Sequence, residues 1–244
     1  MEGFHWERAA AIVLAAGSGS RMKQSVKKQF IPVNHEPLFY YSLKAFSDLG
    51  IGGLILVTAG EDMELCRRLL EKYTFSSPVQ IVEGGRERYH SVYQGLRQAA
   101  GYEYIFIHDG ARPCLEQRVI EETALCAAKY GACAAAVPVK DTIKLADGEG
   151  FAAETLDRSR LWAMQTPQTF RYDIVKDAYD KMFESPMDEG KVTDDAMVVE
   201  RYSSCPVKMA MGSYRNIKVT TPEDLTVAEK YMKEIYGDHE GDLK

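Results

Sequence analysis

The chain is expected to fold as an α/β domain: a Rossmann-like, mostly parallel sheet flanked by helices, with a projecting β-hairpin arm. Three observations predict this. Short apolar runs alternate with amphipathic segments through the first half. The first run, Ala11-Ile12-Val13-Leu14, breaks into a small-residue turn, Ala15-Ala16-Gly17-Ser18-Gly19-Ser20, studded downstream with Arg21, Lys23, Lys27 and Lys28. After Pro138 the pattern changes to two short strand-like stretches around a polar turn.

Taken in order, strands are expected over residues 11–14, 54–57, 79–82, 104–108 and 132–138. Helices are expected between them, over 37–48, 62–73, 90–100 and 116–129. Pro37 opens the first helix, where its missing N–H does no harm. The second carries Leu65, Leu69 and Leu70 on one face. Strands separated by helices imply right-handed crossovers and a parallel sheet, with ligands beyond the C-terminal strand ends. The loops after the first and fourth strands are expected to meet there.

Residues 139–157 read as strand, turn, strand around Ala146-Asp147-Gly148-Glu149-Gly150. The arm, about 139–160, is inserted in what is otherwise a single domain spanning 1–244. An isolated two-stranded hairpin is marginal in water, so it needs a surface to pack on, and a second subunit would supply one. Residues 166–170 rejoin the body and 172–184 form a helix. Residues 192–195 cap a short helix to 200, and 207–211 and 217–219 read as late strands. Thr221-Pro222-Glu223-Asp224 is a strong helix start, with cap, proline and acids in their favoured places, and that helix should run to about 236. The remainder, 237–244, reads as a frayed tail.

The totals narrow the function. With 244 residues, 45% hydrophobic and 27% charged, the composition is that of a globular protein with a sizeable core. A net charge of −6 argues against nucleic-acid or anionic-membrane partners. The basic residues near Arg21 stand out against it, which favours a local anion site. The five cysteines are scattered, with no CxxC pair, so a disulfide framework is not expected and a cytoplasmic location is. The N-terminus lacks the apolar core of a signal peptide, and no apolar run approaches the ~20 residues of a membrane span.

A strand ending in a glycine-rich turn rich in cations is a phosphate cradle in outline. It fits neither of two familiar patterns. GxGxxG needs a third glycine where Met22 stands, and GxxxxGK[ST] needs glycine at Met22 and a hydroxyl where Gln24 stands.

Further motifs identify it. Leu14-Ala15-Ala16-Gly17-Ser18-Gly19-Ser20-Arg21-Met22 is followed by Lys28-Gln29-Phe30. Then come Gly84-Gly85-x-x-Arg88-x-x-Ser91-Val92, His108-Asp109-Gly110-Ala111-Arg112-Pro113 and Pro138-Val139-Lys140-Asp141-Thr142. Asp157-Arg158, Gln165-Thr166-Pro167-Gln168-Thr169-Phe170, Thr193-Asp194-Asp195-Ala196 and Asn216-Ile217-Lys218-Val219 complete the series. Each alone is weak, but in this order they resemble the methylerythritol-phosphate cytidylyltransferase family over about 10–236.

The resemblance implies transfer of a cytidylyl group from CTP to 2-C-methyl-D-erythritol 4-phosphate, releasing pyrophosphate. The acceptor phosphate is already ionised, so positioning and charge neutralisation should carry the catalysis. It implies Arg21 and Lys28 at the α-phosphate, and Arg158 and Lys218 on the attacking phosphate. Thr166 and Thr193 match further acceptor contacts. Ala15, Ala16, Gly17, Gly19, Gly84, Gly85 and Ser91 match the nucleotide site, Ser91 serving either the base or the helix. Asp109 matches a nucleotide contact and is the natural ligand for Mg²⁺, the expected cofactor. The family offers Arg158 across a homodimer interface through the arm.

Smaller expectations concern the neighbours. Lys23 and Lys27 are read as solvated, His108 as packed, Asp194 and Asp195 as helix N-terminal charges, and Arg112 either as a partner of Asp109 or as a phosphate or structural contact. Lys27 departs from the proline usual in the family, and Arg86 stands where some members carry an acid. The rival acceptor is ribitol 5-phosphate. A nicotinamide oxidoreductase is disfavoured by the failed fingerprint, and a non-catalytic sensor by the presence of cations for both phosphates.

Overall fold

The computed structural model describes residues 3–17, 27–185 and 192–237. Gly19, Arg21 and Lys23, together with tail residues 238–244, lie outside the described residues.

The chain begins with strand β1 (Ala9–Ala15), and a short ribbon follows, β2 (Pro32–Val33) and β3 (Glu36–Pro37). Helix α1 (Leu38–Ser47), strand β4 (Gly53–Thr58) and helix α2 (Met63–Leu70) come next. Strand β5 (Val79–Glu83), helix α3 (Arg88–Gln98), strand β6 (Tyr104–Asp109), helix α4 (Gln117–Tyr130) and strand β7 (Ala132–Pro138) complete the first half. The arm is β8 (Lys144–Ala146) with β9 (Ala152–Thr155). The body resumes with β10 (Trp162–Arg171), α5 (Tyr172–Glu184), α6 (Asp195–Tyr202), β11 (Lys208–Met211) and α7 (Pro222–Tyr236).

Seven of the eleven described strands form one sheet in the order β11-β7-β10-β6-β1-β4-β5, and the ribbon β2-β3 and the arm β8-β9 stand apart from it. β10 runs antiparallel to both its neighbours, while the other pairs are parallel. β1 sits where the order reverses, with β4 on one side and β6 on the other. That reversal opens a crevice at the C-terminal ends of β1 and β6, the usual ligand position in such sheets.

Period-two alternation in β1 explains why its apolar run is unbroken. Ala9, Ala11 and Val13 pack under Phe39 and Phe46 of α1 and Val119 and Ile120 of α4. Ala10 and Ile12 face the opposite layer, with Val92 and Leu96 of α3 and Val175 and Tyr179 of α5. A strand buried on both faces needs apolar residues at every position. Helix α7 closes a third cluster, with Ala228 and Met232 against Leu38 and Tyr41.

Four expectations need correction. Residues 217–219 form no strand; they cross the strand ends, held by Val219 N–H donating to the Ala111 carbonyl at 2.8 Å. Pro37 caps α1 from outside and belongs to the ribbon. In α2 the wholly buried residue is Cys66, and Leu65 is exposed. Lys27 is not simply solvated: its ammonium donates to Glu61 and Asp62 at 2.5 and 2.7 Å. Those hydrogen bonds raise its pKa despite partial burial.

The expected cap of α7 is present in full. Thr221 and Asp224 form a reciprocal capping box, with Pro222 at the first helical position. The arm is a two-stranded sheet with every strand residue exposed.

Candidate active site

Two adjoining crevices lie at the sheet's switch point. The first, about 390 Å³, is lined by Leu14, Ala15, Ala16 and Gly17 from the end of β1, and by Lys28, Gln29, Gly85, Arg88, Ser91, Asp109 and Lys218 among others. The second, about 250 Å³, is lined by Met164, Gln165, Thr166, Gln168, Thr193, Asp194 and Arg112. Arg88, Asp109 and Lys218 line both. The loops after β1 and β6 meet as expected, with Gly110 N–H donating to the Leu14 carbonyl at 2.9 Å.

The floor of the first crevice is backbone. Its two halves are locked from behind. Gln29, almost wholly buried, donates its amide to the Gly17 carbonyl at 3.0 Å and fixes the start of the loop. Lys28, beside it in the turn Lys28–Phe30, faces the crevice. On the other side, the Ser91 hydroxyl accepts the Gly85 N–H at 3.1 Å and lies 3.3 Å from the Glu87 carbonyl, its acceptor. The serine therefore fastens the Gly84-Gly85 turn onto α3 as well as lining the site. Glycine is required at 84, where a Cβ would stand 2.7 Å from Ser91 Oγ and 2.9 Å from Ala16 Cβ.

Asp109 is the buried charge between the crevices. Lys218 Nζ donates to its Oδ2 at 2.8 Å, Arg88 Nε donates to Oδ1 at 3.3 Å, and Arg112 Nε lies 3.8 Å away. Burial alone would push this carboxyl up. The cations Arg88, Lys218 and Arg112 outweigh burial and hold it well below the usual carboxylate range. Arg112 serves the scaffold too, donating to the Asn216 carbonyl at 2.8 Å.

Behind Asp109 the expected packing of His108 is confirmed. Its ring is wholly buried, and that burial pulls its pKa down to about 4. Nε2 meets the Arg112 carbonyl at 3.2 Å, and Nδ1 meets the Thr166 hydroxyl at 3.0 Å. The Thr166 oxygen also accepts the Asp109 N–H at 3.1 Å. These partners assign a neutral imidazole protonated at Nε2, which suits a clamp and not a base. Thr166 lines the second crevice while holding Asp109 in place.

The remaining expected residues divide. Thr193 is exposed on the second crevice. Arg158 stands in the turn Arg158–Arg160 at the base of the arm, exposed, donating to the Lys140 carbonyl at 2.9 Å. It is not among the described residues lining either crevice. Gly19 and Arg21 fall outside the described residues. Asp194 caps α6 as expected, accepting the Met197 N–H. Asp195 does more: it is wholly buried and accepts a two-pronged bond from Arg88.

Two residues were missed as functional candidates, Gln29 and Arg88. Arg88 left a signal. It is the first residue of α3, where the helix dipole disfavours a cation. Asp195 left one too, a charge beside the apolar run Ala196-Met197-Val198-Val199.

The fold and crevice define a class: a Rossmann-like α/β protein with a glycine-lined, cation-rimmed site for a phosphorylated nucleotide. A family model for 2-C-methyl-D-erythritol 4-phosphate cytidylyltransferase matches residues 9–234. The chain is 47% identical over 224 residues to the protein of that name from Lachnospira eligens, covering 91% of this chain and 98% of the relative. It is 42% identical to the Clostridium kluyveri protein of the same name, over 91% of this chain and 96% of that one. Among solved structures, that of 4-diphosphocytidyl-2C-methyl-D-erythritol synthase from Anaerococcus prevotii superposes with a TM-score of 0.80 at 31% identity, over 92% of this chain and 98% of that one. The chain belongs to the 2-C-methyl-D-erythritol 4-phosphate cytidylyltransferase family.

Proposed function

We infer that the chain transfers a cytidylyl group from CTP to 2-C-methyl-D-erythritol 4-phosphate, giving CDP-methylerythritol and pyrophosphate. The observation that carries this reading is the pair of adjoining crevices sharing Arg88, Asp109 and Lys218. A transferase needs a donor site and an acceptor site with a charged seam between them. An acceptor phosphate oxygen attacks the α-phosphorus, and the bond from that phosphorus to the bridging oxygen of the β-phosphate breaks. Pyrophosphate leaves with the electron pair. No side chain need remove a proton, and the buried, neutral His108 agrees with that.

The positions of the described residues support the following roles. The main chain of Ala15, Ala16, Gly17, Gly84 and Gly85 reads base and ribose, where only close backbone approach is possible. Ser91 keeps the Gly85 turn in register. Lys28 and Arg21 neutralise the donor phosphates, and Gly19 contributes main chain to the nucleotide site. Lys218 orients the attacking phosphate from the second crevice, where Thr166 and Thr193 contact the acceptor.

Asp109 fits a Mg²⁺ that arrives with the triphosphate. Among the described residues no cluster of three metal-ligating side chains exists. An ionised carboxylate has about four lone-pair sites, and the long 3.3 Å approach of Arg88 leaves capacity for one more partner. When bound, the ion would neutralise charge on the nucleotide phosphates.

The protein works as a cytoplasmic homodimer. The arm supports this: it exposes Leu145 on β8 and Phe151 just before β9, the latter 67% accessible, and its strand residues are all exposed. Docked on a second copy, the arm brings Arg158 to that copy's acceptor phosphate. All five cysteines are free thiols, as a reducing compartment requires. Among the described residues no helix is long and apolar enough to cross a membrane.

A pyrophosphate-release assay with CTP, Mg²⁺ and a panel of polyol phosphates tests the reading. Release is expected with methylerythritol phosphate. Release with ribitol 5-phosphate and none with methylerythritol phosphate would overturn it.

A further inference from the structure

Asp195 is a wholly buried carboxylate. Such a charge is tolerated only when it is paired and hydrogen-bonded. Here the pairing is complete. Arg88 Nη1 and Nη2 donate to its two oxygens at 2.9 and 2.7 Å, and the buried Tyr179 hydroxyl donates to Oδ1 at 2.5 Å. A two-pronged bond fixes the plane of the guanidinium, not just its distance. With that plane fixed, Nε is left aimed at Asp109 Oδ1, 3.3 Å away. The other oxygen of Asp109 holds Lys218.

The result is a chain of alternating charges, Asp195–Arg88–Asp109–Lys218, anchored at its inner end by the Tyr179 hydroxyl. It runs from the interior of the α5–α6 layer to the seam between the crevices. Its anchor and members come from α5, α6, the first turn of α3, the end of β6 and the segment after β11. A cation at the start of α3 opposes the helix dipole, and a buried carboxylate in α6 opposes burial. Both unfavourable placements are reconciled by a single pair, and the pair's free end touches the site.

We propose that Arg88 is a positioning residue: clamped by Asp195, it shares Asp109 with Lys218 and so sets where the lysine ammonium stands between the two crevices. Without Arg88, Asp109 has fewer cations to satisfy it, and Lys218 is drawn deeper onto it. The lysine is then withdrawn from the acceptor phosphate. The effect falls on the acceptor side, because the backbone floor of the nucleotide crevice is held separately, by Gln29 and Ser91. This inference rests on the transfer reaction proposed above.

The test is steady-state kinetics of the full-length enzyme with each substrate varied in turn. Arg88→Lys keeps the charge but loses the fork. It is expected to raise KM for methylerythritol phosphate or lower kcat by about tenfold or more, with KM for CTP within about twofold of wild type. Tyr179→Phe, which removes one bond from Asp195, should shift the same parameters less. The double exchange Arg88→Met with Asp195→Leu replaces the buried ion pair by apolar packing. A merely structural pair predicts near-wild-type kinetics for that folded double variant; positioning predicts the same acceptor-side loss as in Arg88→Lys. Wild-type kcat and acceptor KM in Arg88→Lys, or a loss confined to KM for CTP, overturns the inference. Turnover by the wild type separates the two claims: if it is absent, the transfer reading fails and this inference with it.

Discussion

Replacing Asp109 with asparagine keeps the shape of the side chain and removes its charge. Three cations then face one another across a neutral amide. The gaps of 2.8, 3.3 and 3.8 Å to Lys218, Arg88 and Arg112 set the scale. At an effective dielectric of about 20, each corresponds to roughly 4–6 kcal/mol of gross attraction, most of it offset by desolvation. Removing one partner of a buried pair costs about 3–5 kcal/mol net. Lys218 is 38% accessible and partly screened, which argues for the low end, about 3 kcal/mol. For a chain of this size that is a fall in Tm of about 6–12 °C. The sign of the pH dependence follows from the direction of the shift. A carboxylate held below its unfolded pKa contributes stability fully present above that value and lost as pH falls through the folded one. Between about pH 5 and pH 8 the gap between wild type and variant should therefore be flat. Thermal denaturation across that range measures it. Pyrophosphate without metal should recover more Tm in the variant than in wild type, since it supplies the missing anion. An unchanged Tm, or a weaker pyrophosphate effect in the variant, would refute the account of Asp109 as the shared counter-ion of three cations.

Two more outcomes are expected. Arg158→Ala should mainly weaken acceptor binding, and mixing it with Lys28→Ala should restore part of the activity through hybrid dimers; no recovery with subunit exchange confirmed counts against an arm acting in trans. Thiol labelling of the native protein at neutral pH should reach Cys126 and Cys205 and spare Cys66, Cys114 and Cys133, which are buried. Burial pushes the Cys114 thiol up to about 12, so rapid modification there would contradict the packing of α7 over it.

The sheet was legible because burial on both faces leaves a local mark. The run 132–138 has the bounds expected from its composition, and α5 begins and ends where the pattern does. The misreadings share one cause, contacts distant in sequence. Residues 217–219 are apolar and β-branched at their ends, yet their backbone partner is Ala111 on another loop. Lys27 looked solvated because Glu61 and Asp62 lie 34 and 35 residues away. The site was legible through motifs, and those motifs named many of the described residues that line the crevices, though Arg158 lines neither. They said less about what holds those residues. Gln29 and Arg88 both stood inside quoted motifs, and neither was read as functional.

That division has a physical reason. A residue that touches a ligand is constrained in type, so short patterns reveal it. A residue that touches another side chain is constrained only as a pair, and here the pair Arg88 and Asp195 is separated by 107 positions. What a single sequence does expose is the local penalty each member carries: a cation at a helix start, a carboxylate in an apolar stretch. Two such penalties in one chain, each costly alone, argue for a partnership between them. Read that way, the departure at Lys27 falls into the same class. Proline would stiffen the approach to Lys28 through its ring. The ammonium of Lys27 does so through two ion pairs with the turn after β4, tethering the same backbone by charge instead of by covalent geometry.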